Sequence, residues 1–298
     1  MRTGRTAVAM GLAAVLLFVG ACGSATSATG TPSLDGTPQS SIETEPSIAA
    51  PETSVPPNLP TAGPLSTLPP GALTIATIGD SLTEGQGDDS GLGGYPGRLK
   101  TLIDPIRPGT KIVNVGHSGW SSTDLINGQN GQPAELAQAM DARPNVALVW
   151  IGSNDLWNLY EFGPEPMTAD AEQADLAAYA ANIDTILKTL TGRGTTVFIA
   201  LLDDQSKRPV AANPPNPAEP AFPATTKADL ALMSAHVRAY NDAIRRAAAK
   251  HGATTVDFFN TTIFTDAATL YGDGNHPNSA GYDRVAQIWF AALQARLK

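Results

Sequence analysis

The sequence has a single cysteine, Cys22, among its 298 residues. One cysteine excludes an intrachain disulfide and a metal site built on several cysteines. Basic residues are also scarce: 19 lysines and arginines stand against 28 aspartates and glutamates, for a formal net charge of -9. This acidic balance argues against nucleic acid or an anionic lipid surface as the main partner. We therefore expect partners that are neutral or cationic.

Several common catalytic and nucleotide-binding motifs are missing as well. The glycines between residues 85 and 94 match neither the GxGxxG dinucleotide fingerprint nor a P-loop, so we interpret this stretch as a mobile rim loop. The GxSxG nucleophile elbow is absent, which argues against the other large fold of serine esterases. No cluster of residues has the spacing of metal ligands, so we expect no metal site.

The first 21 residues are typical of a secretory signal peptide. Arg2 and Arg5 precede an uncharged apolar segment, residues 7–21, which is too short for a typical transmembrane helix. This segment ends in Val-Gly-Ala before Cys22, and it resembles the lipobox of bacterial lipoprotein signal peptides. The resemblance implies that Cys22 is lipidated and becomes the mature N-terminus. The alternatives are an ordinary secretory signal with an incidental cysteine, or an uncleaved anchor.

A change in composition divides the rest of the chain. From residue 23 to about 71 the sequence is rich in Ser, Thr, Pro and Ala and has no basic residue, which is typical of an extended linker. We therefore predict a signal peptide at 1–21, a disordered linker at 22–71 and a globular domain at 72–298. Lipidation of Cys22 predicts an extracytoplasmic, membrane-anchored lipoprotein of the bacterial cell envelope. Without lipidation, the prediction is a secreted protein.

Apolar runs and amphipathic stretches alternate from residue 72 onward. Strands alternating with helices imply a parallel sheet covered on both faces, so we predict an α/β domain with three α/β/α layers and five strands. The predicted strands are 73–78, 111–115, 146–151, 196–202 and 254–258. The predicted helices are 95–103, 134–141, 171–190, 227–250 and 279–297.

Ser81 is the candidate nucleophile because it follows the first predicted strand, in the sequence LTIATIGDSLTEG. In an open parallel sheet, ligands bind at the carboxyl ends of the strands. The second and third strands run into NVGHSGW and GSND, which contain Gly119 and Asn154. Because all three strands end on the same edge, Ser81, Gly119 and Asn154 can meet. Two backbone N–H groups and the Asn154 amide are the kind of donors that the oxyanion of an attacked ester needs.

Asp273 and His276 supply the acid–base groups that a serine nucleophile requires. A serine hydroxyl attacks once an imidazole takes its proton, and a carboxylate must orient the imidazole and balance its charge. Both residues come from one short loop, DGNHP, before the last predicted helix. Pro277 disfavours helical geometry at His276 and so keeps His276 in the loop.

Four sequence blocks together resemble the SGNH, or GDSL-type, serine hydrolases. The blocks are GDSLTEG around Ser81, NVGHSGWSS around Gly119, GSND around Asn154, and DGNHP with Asp273 and His276. They stand in the family's order. The resemblance implies a flavodoxin-like sheet, hydrolysis of esters or thioesters through an acyl-serine intermediate, and no cofactor. It also implies a catalytic triad of Ser81, Asp273 and His276, and an oxyanion hole of Ser81, Gly119 and Asn154.

For the other polar residues near the candidate site, and for the remaining histidines, we mainly expect structural roles. We expect Asp80 to cap a turn rather than to act as the catalytic acid, and Asp155 to brace its loop. His236 lies in the predicted helix 227–250 and His251 lies at its end, so we expect both to be structural, whereas His117 is a candidate substrate contact.

A proline-rich stretch, residues 203–226, follows the fourth predicted strand and so lies beside the same sheet edge. Its position fits a lid or specificity element, and its composition fits a solvated insertion.

The combined interpretation is a lipid-anchored serine ester hydrolase that acts on small-molecule, glycan or lipid esters. Acetylated envelope glycans, lipids and thioesters are the candidate substrates. An acyltransferase with the same acyl-serine intermediate is the first alternative, and a non-catalytic envelope-binding lipoprotein is the second. A fluorophosphonate probe separates the enzymes from the binding protein, because it labels an activated serine. We expect no nucleic-acid partner, and no membrane contact except through the N-terminal lipid.

Overall fold

The computed structural model describes residues 68–297, and these residues form the α/β architecture that the sequence predicts. The predicted signal peptide, Cys22 and nearly all of the predicted linker lie outside the described residues, so the boundaries at 21 and 71 stay predictions. Between residues 68 and 297, no helix has the length and apolar character needed to cross a membrane.

The sheet of the described domain has five strands, all parallel, in the order β2-β1-β3-β4-β5. The strands are β1 (Thr74–Gly79), β2 (Lys111–Asn114), β3 (Val146–Trp150), β4 (Thr196–Leu201) and β5 (Thr254–Asp257). Their bounds agree with the predicted ones to within about one residue, and their order is the flavodoxin-like order. The central strands β1, β3 and β4 are almost entirely buried because helices cover both faces of the sheet.

Helices connect the strands and form the two outer layers. They are α1 (Ser81–Glu84), α2 (Gly94–Ile103), α3 (Ser122–Asn127), α4 (Glu135–Asp141), α5 (Ser153–Phe162), α6 (Ala169–Thr191), α7 (Pro209–Ala212), α8 (Lys227–His251) and α9 (Ser279–Leu297). The sequence predicted the five helices α2, α4, α6, α8 and α9 but not α1, α3, α5 and α7. The missed helices have 4 to 10 residues, and an apolar pattern this short identifies some helices, such as α4 with 7 residues, and misses others.

The end of β1 is shaped by a close approach to β3. Gly79 has φ +152, and a Cβ atom at this position would lie 2.0 Å from the carbonyl oxygen of Trp150. Only glycine allows the two backbones to come this close. Trp150 itself is fully buried and stacks on Phe258 with ring centroids 4.2 Å apart. The turn after β1 therefore packs against a strand whose Trp150 belongs to a buried aromatic cluster.

Candidate active site

Ser81, His276 and Asp273 form a hydrogen-bonded chain at the carboxyl edge of the sheet. Ser81 Oγ lies 2.9 Å from His276 Nε2, and His276 Nδ1 lies 2.7 Å from Asp273 Oδ2. The histidine is buried and the serine is half-buried. An imidazole with these two partners can accept the serine proton on Nε2 while the carboxylate holds the proton on Nδ1.

Ser81 is presented by the tight turn that joins β1 to α1. Asp80 is the N-cap of α1, and its Oδ1 accepts a hydrogen bond from the Leu82 N–H at 3.0 Å. Asp80 thus caps the helix, as expected, and it is not the carboxylate that binds His276. Ser81 is the first residue of α1, so its N–H has no acceptor within the helix. Across residues 68–297 this N–H donates to no other protein group and is available to a ligand.

The loop of residues 271–276, called the His276 loop below, is organised by the side chain of Asp273. Asp273 Oδ1 accepts the N–H groups of Asn275 at 2.9 Å and His276 at 3.0 Å, while Oδ2 faces the imidazole. Burial alone raises the pKa of Asp273, but the hydrogen bonds from His276 and from the two backbone N–H groups outweigh it and lower the pKa to about 2. Asp273 is therefore a carboxylate at neutral pH.

The loop of residues 116–122, called the Gly119 loop below, lies on the other side of Ser81. Gly119 is exposed, has φ +81, and its N–H donates to no acceptor in the described part of the chain. Asn154 Nδ2 donates one hydrogen bond to the carbonyl oxygen of Trp120 at 2.8 Å, which leaves its second hydrogen for a ligand. Ser81, Gly119 and Asn154 thus follow three adjacent strands, β1, β2 and β3.

Two carboxylates accept hydrogen bonds from the Gly119 loop. Glu84, in α1, accepts hydrogen bonds from the N–H of Ser118 at 2.9 Å and from its hydroxyl. Asp155, in α5, accepts the N–H of Ser122 at 2.9 Å and the Ser122 hydroxyl. Burial raises the pKa of Asp155 to about 6. The brace expected of Asp155 therefore exists, but it acts on the neighbouring loop rather than on its own.

Glu135 is a buried residue at the site that the sequence analysis did not identify. It is fully buried at the start of α4, and its Oε2 accepts the Gly79 N–H at 2.9 Å. Burial, together with the charge of Asp80, raises the pKa of Glu135 to about 9. Burial also raises the pKa of Asp80 itself, to about 6. The sequence contains no signal for this role, since an acidic residue in a helical first turn is ordinary.

The other histidines do not compete for the place of His276. His236 Nε2 lies 3.1 Å from Asp175 Oδ2, and His251 Nε2 lies 2.7 Å from Asp184 Oδ1, so each links α8 to α6. The His117 ring packs on Trp120, in the Gly119 loop, with centroids 4.5 Å apart. Within residues 68–297, no group of three His, Cys, Asp or Glu side chains is arranged to hold a metal ion.

The proline-rich segment 203–226 is packed onto the domain rather than free in solvent. Its Phe222 stacks on Trp157 of α5 with centroids 4.0 Å apart. Glu161, also in α5, accepts the N–H groups of Ala224 and Thr225 at 3.2 Å and 3.1 Å. The segment is thus attached to the helix that carries Asn154.

A family model described as GDSL-like Lipase/Acylhydrolase family matches residues 77–284, which include all four sequence blocks. Among curated proteins, a multidomain esterase of Ruminococcus flavefaciens is 23% identical over 255 residues, which is 76% of this chain and 29% of that protein. The chain thus spans less than a third of the length of this curated relative.

Solved structures with the same fold include three hydrolases. An α/β-hydrolase enzyme from the metagenome of Lake Arreo, Spain, has a TM-score of 0.54 at 23% identity, covering 78% of this chain and 100% of that one. An acetyl xylan esterase from Geobacillus stearothermophilus has a TM-score of 0.51 at 21% identity, covering 74% and 94%. A psychrotrophic esterase from Pseudoalteromonas sp. has a TM-score of 0.52 at 15% identity, covering 75% and 98%. At these identities, the likeness shows the fold.

Proposed function

Because this chain belongs to the GDSL-like lipase/acylhydrolase family, a family of serine ester hydrolases, we propose that it hydrolyses carboxylic esters through an acyl intermediate on Ser81. The observation that carries this proposal is the hydrogen-bonded chain from Ser81 Oγ through both ring nitrogens of His276 to Asp273. The distances between these three residues are those that acyl transfer to a serine requires.

In the first half of the reaction, His276 Nε2 takes the proton of Ser81 while Oγ attacks the ester carbonyl. Ionised Asp273 keeps the Nδ1 proton in place and balances the imidazolium charge. The oxyanion of the tetrahedral intermediate is stabilised by the N–H groups of Ser81 and Gly119 and by Asn154 Nδ2. The intermediate collapses as His276 gives its proton to the leaving alcohol, which leaves the acyl group on Ser81.

In the second half, water replaces the alcohol. His276 removes a proton from this water, the hydroxide attacks the acyl carbonyl, and the same three donors stabilise the second oxyanion. The proton returns to Ser81 Oγ as the carboxylic acid leaves. An alcohol that replaces this water completes acyl transfer instead, so acceptor competition separates a hydrolase from a transferase.

For the substrate class, we propose acetyl esters of envelope glycans. The predicted extracytoplasmic location would bring the domain to such polymers. The Geobacillus structure with this fold is an acetyl xylan esterase, which makes an acetylated oligosaccharide a sensible first glycan to test. The acidic chain is compatible with neutral glycan esters and unfavourable for anionic ones.

The test compares wild type with Ser81→Ala on p-nitrophenyl esters from acetyl to palmitoyl and on an acetylated oligosaccharide. We expect kcat to fall by about 10⁶-fold in Ser81→Ala, because the members of a triad act as a unit. Ser234→Ala is the matched control, since its hydroxyl donates to Asp204, outside the triad. Equal activity of wild type and Ser81→Ala would exclude Ser81 as the nucleophile. An inactive wild type that no fluorophosphonate labels would favour the envelope-binding lipoprotein.

We propose that Cys22 is lipidated and anchors the protein to the outer face of the bacterial membrane. The support is the sequence around Cys22, since this region lies outside the described residues. Incorporation of a labelled fatty acid into wild type but not into Cys22→Ser is the expected result. Equal labelling of both proteins, or labelling of neither, would contradict lipidation at this residue.

A further inference from the structure

The His276 loop is held from outside by the segment that follows β4. The Val210 N–H donates to the carbonyl oxygen of Gly274 at 3.0 Å, and Arg208 Nη1 donates to Asn275 Oδ1 at 2.8 Å. Gly274 and Asn275 are the two residues between the carboxylate of Asp273 and the imidazole of His276. The contacts from Arg208 and Val210 thus act on the centre of the loop.

Arg208 is a rigid donor because its guanidinium is almost completely enclosed. It is 1% exposed, and its Nε and Nη2 donate to Asp203 Oδ2 and Oδ1 at 2.8 Å and 2.7 Å. The Phe264 ring lies on the guanidinium, with its centroid 4.4 Å from Cζ. A bidentate pair fixes the plane of a guanidinium as well as its position. Since Asp203 closely follows the end of β4, the pair connects the sheet to Asn275.

The His276 loop transmits any displacement of Asn275 to the reacting groups. The Asn275 N–H and the His276 N–H share Asp273 Oδ1, so the three residues form one compact turn. Gly274 has φ +69, and a Cβ there would lie 3.1 Å from side-chain atoms of Pro209 and Pro215. The segment after β4 therefore lies directly on the turn. Misplacing a reacting group by about 1 Å can lower the rate by about 10²-fold.

We propose that Arg208 is a positioning residue for the base. Through Asn275 it holds the His276 loop so that Nε2 stays in hydrogen-bonding reach of Ser81 Oγ. On this proposal, residues 203–210 are a fixed support of the acid–base pair rather than part of a lid. The inference rests on the proposed function of Ser81 and His276, and it adds a residue that lies 67 positions from its partner Asn275.

The test uses the full-length chain with Asn275→Ala, which removes the acceptor of Arg208 and leaves the Arg208–Asp203 pair intact. We expect kcat for an acetyl ester to fall by about 10- to 100-fold with KM nearly unchanged, because orientation is lost rather than binding. Asn275→Asp keeps an oxygen acceptor and should restore kcat to within a few-fold of wild type. Arg208→Lys replaces the planar guanidinium by an ammonium group, and we expect it to lower kcat as much as Asn275→Ala does.

Asn278→Ala is the matched control in the next turn of the chain. Its Nδ2 donates to the carbonyl oxygens of Ala268 and Leu270, so its loss should lower Tm without a comparable loss of kcat. If Asn275→Ala keeps the wild-type kcat, or if Asn278→Ala loses kcat equally, the positioning role is overturned.

A second readout separates failure of this inference from failure of the proposed function. The downfield proton resonance of the His276 Nδ1–H bound to Asp273 reports the contact without any substrate. In Asn275→Ala we expect this resonance to broaden or shift, and in Asn278→Ala to stay as in wild type. If wild type hydrolyses no ester, the proposed function fails, and the resonance still tests the positioning. An unchanged resonance in Asn275→Ala would overturn it.

Discussion

The two loops that flank Ser81 are supported in different ways. The Gly119 loop is held by two carboxylates, exposed Glu84 and half-buried Asp155, which accept hydrogen bonds from Ser118 and Ser122. The His276 loop is held by the enclosed guanidinium of Arg208 and by a backbone hydrogen bond. The loop that presents a backbone donor is thus held by two anions, one of them exposed, and the loop that moves a proton is held by a fully enclosed cation.

This difference follows from what each loop supplies. Gly119 offers a backbone N–H, whose direction is set once the peptide is fixed, and a few hydrogen bonds from neighbouring residues can fix it. His276 offers a side chain that must meet Ser81 Oγ and Asp273 Oδ2 at the same time. Two simultaneous contacts tolerate less displacement than one, so a support with fixed geometry matters more for the His276 loop.

In this comparison of the two loops, we expect the largest loss of kcat from Asp273→Asn, in the His276 loop. The amide favours the wrong tautomer of His276, and we expect kcat to fall by about 10⁴-fold with little change in KM. Initial rates on an acetyl ester from pH 5 to 9 measure this effect. Asp266→Asn is the control, since Asp266 caps the nearby Ala268 N–H and not the imidazole. A fall of less than tenfold in Asp273→Asn would mean that another group orients His276.

A smaller effect is expected from Asn154→Ala, on the oxyanion side. The variant loses one donor to the oxyanion and the hydrogen bond to Trp120, and we expect kcat to fall by about 10²- to 10³-fold. Steady-state kinetics on the same ester, with Asn158→Ala as an exposed control on α5, provide the measurement. If Asn154→Ala retained wild-type kcat, the oxyanion would depend on the two backbone donors alone.

The same contrast explains how much of the site was predictable from the sequence. The supports of the Gly119 loop belong to the sequence blocks themselves: Glu84 stands in GDSLTEG, and Asp155 follows Asn154 in GSND. The fold and the residues that meet at the sheet edge were predictable because the apolar runs show where the strands end. The sequence blocks directly follow those strand ends. The geometry also brings Ser81, Asp273 and His276 together, although their roles stay predictions until the variants are measured.

The remaining contacts were not predictable because they join distant segments with no local pattern. Arg208 reaches Asn275 across 67 residues, and Glu135 reaches Gly79 across 56. An arginine in a proline-rich stretch and a glutamate in a helical first turn are both ordinary in a sequence. Only the packing of the folded chain buries these two side chains and brings them to their partners. For the same reason, the sequence does not distinguish a lid from a solvated insertion in segment 203–226.

The smallest expected effect concerns Glu135, which accepts the Gly79 N–H at the end of β1, and it is an effect on stability. In the unfolded chain Glu135 loses its proton near its ordinary pKa of 4.5, whereas the folded protein retains it up to about pH 9. Between these values only the unfolded state gains by ionising, so the contribution of Glu135 to stability falls as pH rises, by up to about 1.4 kcal/mol per pH unit.

Glu135→Gln removes this titration while keeping an oxygen acceptor for the Gly79 N–H. We therefore expect the Tm of Glu135→Gln minus that of wild type to increase steadily from pH 4.5 to about 9 and to level off above it. The test is how this Tm difference changes with pH, and not its size at one pH. The new amide N–H₂ lowers stability by a constant amount at a fully buried position. Glu219→Gln, at an exposed acid, should follow wild type throughout. A Tm difference independent of pH would mean that Glu135 ionises at the same pH in the folded and the unfolded state. Glu135, next to the turn that carries Ser81, would then be charged during catalysis.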